Sequence, residues 1–391
     1  MNRFFDDKTA DSLKGRDCAI VLGGFMNPLG IIRSLGVDSS IILVSLTPRN
    51  STAGSSKYVT HRIEYDIEEE IVEVLLLLDG ICNSIVPFPT TDTLYLLLLE
   101  ARDEFRNISI AAQSPKLLEK EYQLEVAKKN KILFPKTVTV SKNIGDDSLK
   151  YLEFPLMIKP SFRFSAEIFK AKIASNEKER DRLIRICLDG AVNAIVSEYI
   201  PGGDDHLYTL GGYCHNGEIK LSFTGRKVLQ KPESRGFASL AETYDCPEII
   251  DIGTKYLNAT NFTGLFQIEF KKHSDNGKYY FIEHNTRNWL WSLLATRSGR
   301  NIAMEKYKNE SAQKVDYVTG RIITGYWIWS EAFIYNIFVE RRISALGELF
   351  NRIFSRKKVT HGIWSFEDPK PFFTYVKNSF MILMFGSKRS R

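Results

Sequence analysis

The stretch Gly264–Arg287 reads GLFQIEFKKHSDNGKYYFIEHNTR, two alternating runs about a polar turn. Up to Phe270 it alternates, so that Phe266, Ile268 and Phe270 fall on one face of a strand and Gln267 and Glu269 on the other. The second run puts Tyr280 and Ile282 on one side and Phe281, Glu283 and Asn285 on the other. Asp275-Asn276-Gly277 between them is a turn signal. If those three residues form the loop, with Gly277 in left-handed backbone, Ser274 pairs with Lys278 and Glu269 lies opposite Glu283, with Asn285 beside it. A two-residue Asn276-Gly277 loop would put the two glutamates on opposite faces. Opposed carboxylates repel unless a cation sits between them, and oxygen ligands from Glu, Glu and Asn suit Mg2+, which keeps positions open for water and phosphate oxygens. The alternative is a strand face whose glutamates are simply solvated.

The chain around this hairpin has room for two or three domains: 391 residues, 43% of them hydrophobic. Five cysteines (Cys18, Cys82, Cys187, Cys214, Cys246) are scattered without metal-ligand spacing, which fits a reducing compartment and gives no zinc site. Met1–Lys14 is too charged for a signal peptide, so the expectation is a cytoplasmic protein. A formal charge of +6 admits anionic ligands without requiring nucleic acid, and none is expected as a partner.

Upstream, Cys18–Leu22 is an apolar strand running into Gly23-Gly24-Phe25-Met26-Asn27-Pro28-Leu29-Gly30, with a helix over Ile31–Leu35 and a second strand at Ser40–Val44. This opening is Rossmann-like, but it is not G-x-G-x-x-G and no acidic residue closes the second strand, which argues against an NAD(P) site. Ile67–Leu78 and Thr91–Phe105 have helical character, the latter capped by Thr91 or Asp92. The leucine runs at 75–78 and 96–99 are far too short to span a bilayer. Ser114-Pro115 introduces a helix over Lys116–Asn130. Strands follow at Thr137–Val140, Leu156–Lys159 and Ala194–Glu198, a helix at Glu177–Leu188, and a hairpin of Gly211–His215 with Glu218–Phe223 around Asn216-Gly217.

Four pieces in this order resemble the ATP-grasp superfamily, specifically carboxylate-amine ligases similar to D-aspartate ligase. They are Val21-Leu22-Gly23-Gly24 with Arg33-Ser34-Leu35-Gly36; Phe154-Pro155-Leu156-Met157-Ile158-Lys159-Pro160; Ser197-Glu198-Tyr199-Ile200-Pro201-Gly202-Gly203-Asp204; and Phe281-Ile282-Glu283-His284-Asn285-Thr286-Arg287. The resemblance covers about residues 18–302 and implies an α/β chain with the ATP-grasp fold: a Rossmann-like domain (1–113), then two α+β subdomains clasping nucleotide (114–304, with a lid at about 132–198), and a helical, basic C-terminal extension (305–391). It further implies that Lys120 and Lys159 meet the phosphates of ATP, that Glu198, Tyr199 and Ile200 border the adenine, and that Asp204 accepts from the ribose. Arg226 and Lys227 would lie over the terminal phosphates. Glu269, Glu283 and Asn285 would hold Mg2+, two ions in this family, and Arg287 would close the motif. Thr286 stands where the family has proline, and Ser161–Ala166 lacks the family's glycines, leaving Arg163 and Ser165 to act through side chains.

The implied chemistry joins a small-molecule carboxylate to an amine at the expense of ATP through an acyl phosphate, and it needs positioning and charge neutralisation rather than a side-chain nucleophile. A nucleotide-binding relative that serves as an interaction module with little catalysis is the competing reading. In the tail, Arg341–Lys358 carries Ile343, Leu346, Leu349, Phe350 and Ile353 at helical spacing among six basic residues. The expectation is that this stripe packs on its own domain with its charges solvated; the other reading is peripheral contact with the inner face of a membrane, suited to an enzyme of a cell-envelope or glycan precursor. A homodimer is the default assembly.

Overall fold

The computed structural model describes residues 3–142, 146–161, 169, 171–234, 236–311, 322–355 and 357–385. Arg163, Ser165 and the rest of 162–168 lie outside the described residues. Strands β1 (Asp17–Leu22), β2 (Ile42–Pro48), β3 (His61–Tyr65) and β4 (Ser84–Pro89) form a parallel sheet in the order β3-β2-β1-β4. β1, β2 and β4 are buried almost throughout, as parallel strands covered on both faces must be. After β1 the chain turns through Gly23 (φ 117°) into the helix Met26–Leu35, longer than expected because it starts inside the Gly-rich segment. A side chain at Gly23 would also meet Thr90 Oγ1, its Cβ only 2.3 Å away, so the ends of β1 and β4 can approach only with glycine here.

The second layer is a small antiparallel sheet of β5 (Thr137–Val140), β6 (Leu156–Pro160), β7 (Lys172–Ala174) and β8 (Ala194–Glu198), in the order β5-β8-β6-β7. Helix Glu177–Asp189, capped by Asn176, covers it with Leu183, Ile184 and Cys187. The third is the largest, made of β9 (Leu207–His215), β10 (Glu218–Lys231), β11 (Phe237–Thr243), β12 (Gly264–Lys272), β13 (Tyr279–Asn285), β14 (Gly325–Ile328) and β15 (Lys358–His361), in the order β13-β12-β9-β10-β11-β14-β15. One face of its β12-β9 side buries Phe266, Ile268 and Phe270 against Tyr256 and Leu257 of the helix Pro247–Thr260.

The β12-β13 hairpin reaches the expected pairing by an unexpected route. His273 N–H donates to Lys278 O (2.9 Å) and Gly277 N–H to His273 O (3.0 Å), so the loop is Ser274–Gly277, one residue longer than expected. Gly277 does take the left-handed backbone (φ 69°). That loop alone would leave Glu269 facing Ile282, but a bulge at Ile282 restores the register, and Glu269 pairs with Glu283 and Gln267 with Asn285. The bulge also breaks the alternation: Phe281 turns to the core beside Phe270 and Tyr256, while Glu283 keeps the opposite face.

The tail contains the helices Ser330–Phe338, Ser344–Phe354 and Lys370–Phe385, and it also adds two strands that the sequence did not announce. β14 pairs antiparallel with β11 and β15 parallel with β14, so the tail extends the large sheet. Asp368 accepts from Arg33 Nε (3.0 Å), Ser56 Oγ (2.8 Å) and Lys57 N–H (2.9 Å), which ties the tail to the first layer. Helix Ser344–Phe354 packs only part of its expected stripe on the domain, Leu349 joining the cluster around Val228, Leu229 and Phe333. Ala345 and Arg352 face inward, Arg352 Nη2 lying 3.1 Å from Glu242, whereas Ile343, Leu346, Phe350 and Ile353 are exposed. No described helix is long and apolar enough to cross a membrane.

Candidate active site

The polar face of β12 and β13 forms the floor of a cavity of about 600 Å³, within the range of ligand pockets. The small sheet supplies one wall, the large sheet the floor, and the C-terminal ends of β1 and β4 the far end. Alternation puts Gln267, Glu269 and Lys271 of β12 together on this floor, and the bulge brings Glu283 and Asn285 beside them.

The two opposed glutamates sit in a polar net. Lys227 Nζ on β10 lies 2.9 Å from Glu269 Oε1. Gln267 Nε2 donates to the same oxygen (3.3 Å), Asn285 Nδ2 to Glu283 Oε1 (3.3 Å) and to Gln267 Oε1 (3.2 Å). Arg287 Nη2 donates to Asn285 Oδ1 (3.3 Å), and Arg287 Nε to Asp92 Oδ1 (3.0 Å). Like charges opposed across a ladder need positive charge between them, and here Lys227 already supplies some. The donor set of two carboxylates and an amide fits a hard cation such as Mg2+, with Glu269, Glu283 and Asn285 as its holders. Among the described residues no cluster of three His, Cys, Asp or Glu offers another metal site.

Lys159 on β6 and Lys120 at the start of the helix Lys120–Lys129 enter the cavity from the wall, Lys120 Nζ donating to Pro160 O (3.2 Å). The link after β8 supplies the other boundary. Glu198 accepts from Lys136 Nζ (3.1 Å) and from Glu153 N–H (3.3 Å), and Tyr199 and Ile200 line the cavity. The Tyr199 N–H is engaged with Pro155 O (3.0 Å).

Two expected residues lie elsewhere. Arg226 neighbours Lys227 on β10 and so points to the opposite face of the sheet. There Arg226, Arg352 and Lys357 surround buried Glu242 at 2.8, 3.1 and 2.7 Å. Burial alone would raise the Glu242 carboxyl, but Lys357, Arg352 and Arg226 together hold it below the usual range. Asp204 is buried outside the cavity lining. It accepts from Gln230 N–H (2.9 Å), Gln230 Nε2 (2.9 Å), Ser234 N–H (2.8 Å) and Arg342 Nη1 (2.8 Å), which leaves it a structural pin rather than a ribose acceptor.

Sequence reasoning missed Lys271 and the partner role of Asp92. Lys271 is buried on the cavity floor, two residues after Glu269 on the same face, and its Nζ donates to Gly202 O (2.8 Å) and Gly203 O (2.6 Å). Burial pushes its pKa down to about 8, with Lys227 adding to the effect and Asp204 and Asp205 opposing it. The period-2 pattern of β12 already carried this placement. Asp92 was read only as a helix cap.

No family model matches the chain, and no curated protein matches it by sequence. Solved structures do match. N5-carboxyaminoimidazole synthetase from Staphylococcus aureus complexed with ADP superposes with TM-score 0.64 over 80% of this chain and 82% of that one, at 14% identity. L-amino acid ligase from Bacillus licheniformis gives 0.60 over 80% and 79% at 13% identity. This chain has the ATP-grasp fold. Phosphoribosylamine–glycine ligase from Thermotoga maritima, at TM-score 0.57 over 79% and 78% with 14% identity, shares it. The ATP-grasp fold accounts for the order of layers here: a Rossmann-like sheet first, then the small sheet, then the large one.

Proposed function

We propose that this chain is an ATP-dependent carboxylate-amine ligase that works through an acyl phosphate. The observation that carries the reading is the Glu269–Glu283 pair with Asn285, set on the floor of a cavity whose walls present Lys120, Lys159, Lys227 and Arg287. Four cations facing two carboxylates suit a polyphosphate and its metal better than a neutral ligand.

The residues divide the work by position. Lys120 and Lys159 approach from the lid side and neutralise phosphate oxygens, the first held in place by Pro160 O. Lys227, beside Glu269, adds charge at the floor. Arg287 is fixed by Asp92 and Asn285 at the border with the first layer, where Asn27, Thr90 and Asp92 also line the cavity; there it can orient an anionic substrate. Magnesium held by Glu269, Glu283 and Asn285 would supply charge neutralisation at the phosphates. The substrate carboxylate oxygen forms a bond to the terminal phosphorus of ATP as the bond to the bridging oxygen breaks, releasing ADP. The amine nitrogen then bonds to the acyl carbon as the bond to the phosphate oxygen breaks, phosphate leaving and the proton lost from nitrogen passing to it or to water.

The finer reading is an acceptor among cell-envelope or glycan precursors, with the enzyme cytoplasmic and peripheral on the inner membrane face. The outward apolar residues of the helix Ser344–Phe354 support it. The test is ADP and phosphate release from Mg-ATP over a matrix of amino acids, sugar acids and amines. Release that needs both a carboxylate and an amine is expected; Mg-ATP binding with no turnover under any pair would favour the interaction module instead.

A further inference from the structure

Beyond the cavity, the tail carries apolar surface that its own fold leaves uncovered. Helix Ser330–Phe338 packs against the helix Ser344–Phe354, and the pair turns Phe338, Ile343 (72% exposed), Leu346, Phe350 (54%), Ile353 and Phe354 (79%) to solvent. The positions 343, 346, 350 and 353 follow helical spacing, so they form one stripe. The face opposite holds Ala345 and Arg352, already satisfied by the domain. Monomeric proteins rarely leave such a stripe open without a use for it.

A second element adds a different constraint. Helix Lys370–Phe385 packs its first half through Phe372 and Tyr375, the Tyr375 ring 5.8 Å from that of Phe25. Beyond Asn378, which donates to Asn50 O, the helix runs off the body, and Phe380 (59% exposed), Met381, Ile382 (63%) and Met384 (62%) cover its successive sides. A groove on a partner protein covers one side of a helix; hydrocarbon covers all of them. Charge selects the same environment. Residues 370–391 contain five basic and no acidic residues, and exposed Arg341 and Lys358 flank the first stripe.

We infer that this tail docks the protein on an anionic membrane surface, the helix Ser344–Phe354 lying in the interface and the distal half of Lys370–Phe385 reaching past the headgroups to the acyl-chain boundary. The mode is peripheral, since neither helix can cross. It deepens the peripheral reading proposed above and rests on it, yet it can fail independently of the ligase chemistry, because none of these residues lines the cavity.

The test is sedimentation of the full chain with vesicles of phosphatidylcholine alone or with about one-third phosphatidylserine. Binding to the anionic vesicles is expected to exceed that to neutral ones by at least about tenfold and to fall steeply with salt. F350D/F354D and I382D/M384D should each lower it at least about tenfold, while Mg-ATP binding, which reports folding, stays unchanged. The salt series on the unaltered protein gives an answer that no variant's folding can confound. Failure to bind anionic vesicles at low salt, equal binding to neutral ones, or a dimer in solution that the same substitutions dissociate would overturn the proposal, the last by assigning the face to a second copy.

Discussion

Replacing Asp204 with alanine separates a structural pin from a nucleotide ligand. Its side chain is 1% exposed and accepts four hydrogen bonds, one from Arg342, whose guanidinium is itself only 15% exposed. Removing the carboxylate leaves a largely buried cation with only the more exposed Glu233, 3.3 Å from Arg342 Nη2, a loss toward the low end of about 3–5 kcal/mol for breaking a buried pair. It also leaves the N–H groups of Gln230 and Ser234 without their acceptor, at about 1–3 kcal/mol for each that stays dry. These terms overlap, so about 4 kcal/mol is the expected total. Arg342→Met should cost less, about 1–2 kcal/mol, because Asp204 keeps its three donors from Gln230 and Ser234. Urea unfolding followed by tryptophan fluorescence reads both, with nucleotide affinity measured on the folded variants. An Asp204→Ala protein within about 1 kcal/mol of the parent but with Mg-ATP affinity abolished would refute the network and return Asp204 to the ribose.

Three further outcomes follow from the same geometry. Arg226→Gln should leave Mg-ATP affinity unchanged and cost about 1 kcal/mol, since Glu242 keeps Arg352 and Lys357 at 3.1 and 2.7 Å, whereas Lys227→Gln should weaken binding; titration with a fluorescent nucleotide distinguishes the two. Lys271 has a pKa of about 8, below the ordinary 10.5, so within that window the unfolded chain binds more protons and stability rises with pH. Against Lys271→Met, the parent should therefore gain stability from the low to the high end of that window in chemical denaturation, and a difference that shrinks would contradict the assigned burial. Finally, Asp92→Asn should release Arg287 from its 3.0 Å contact and raise the KM of the carboxylate substrate more than that of ATP in the ADP-release assay.

The sequence made legible what depends on local period and on short ordered motifs. The β12 alternation, the Gly277 turn, the strand ending in Lys159 and the segment Glu283–Arg287 all lie where those patterns put them. What it hid depends on geometry that only pairing resolves. The longer Ser274–Gly277 loop and the bulge at Ile282 shift register in opposite senses, so Glu269 met Glu283 although the loop behind the argument was wrong. Arg226 and Lys227 look interchangeable in a chain and are opposites on a strand. Asp204 follows Pro-Gly-Gly as a ligand residue would, yet its partner Arg342 comes from the tail, 138 positions away, where no local pattern points to it. The same distance obscured the helix Ser344–Phe354: its stripe was visible, but Arg352 turns inward to Glu242, and of the stripe only Leu349 packs on the domain while the rest faces out.

Whether Glu269, Glu283 and Asn285 hold magnesium against a nucleotide triphosphate is decided by calorimetry of ATP binding with and without Mg2+, on the parent and on Glu283→Gln. Tight binding is expected only with magnesium, and binding at least about tenfold weaker in the folded variant. Binding that ignores both magnesium and Glu283, or no binding of Mg-ATP at all, would contradict it.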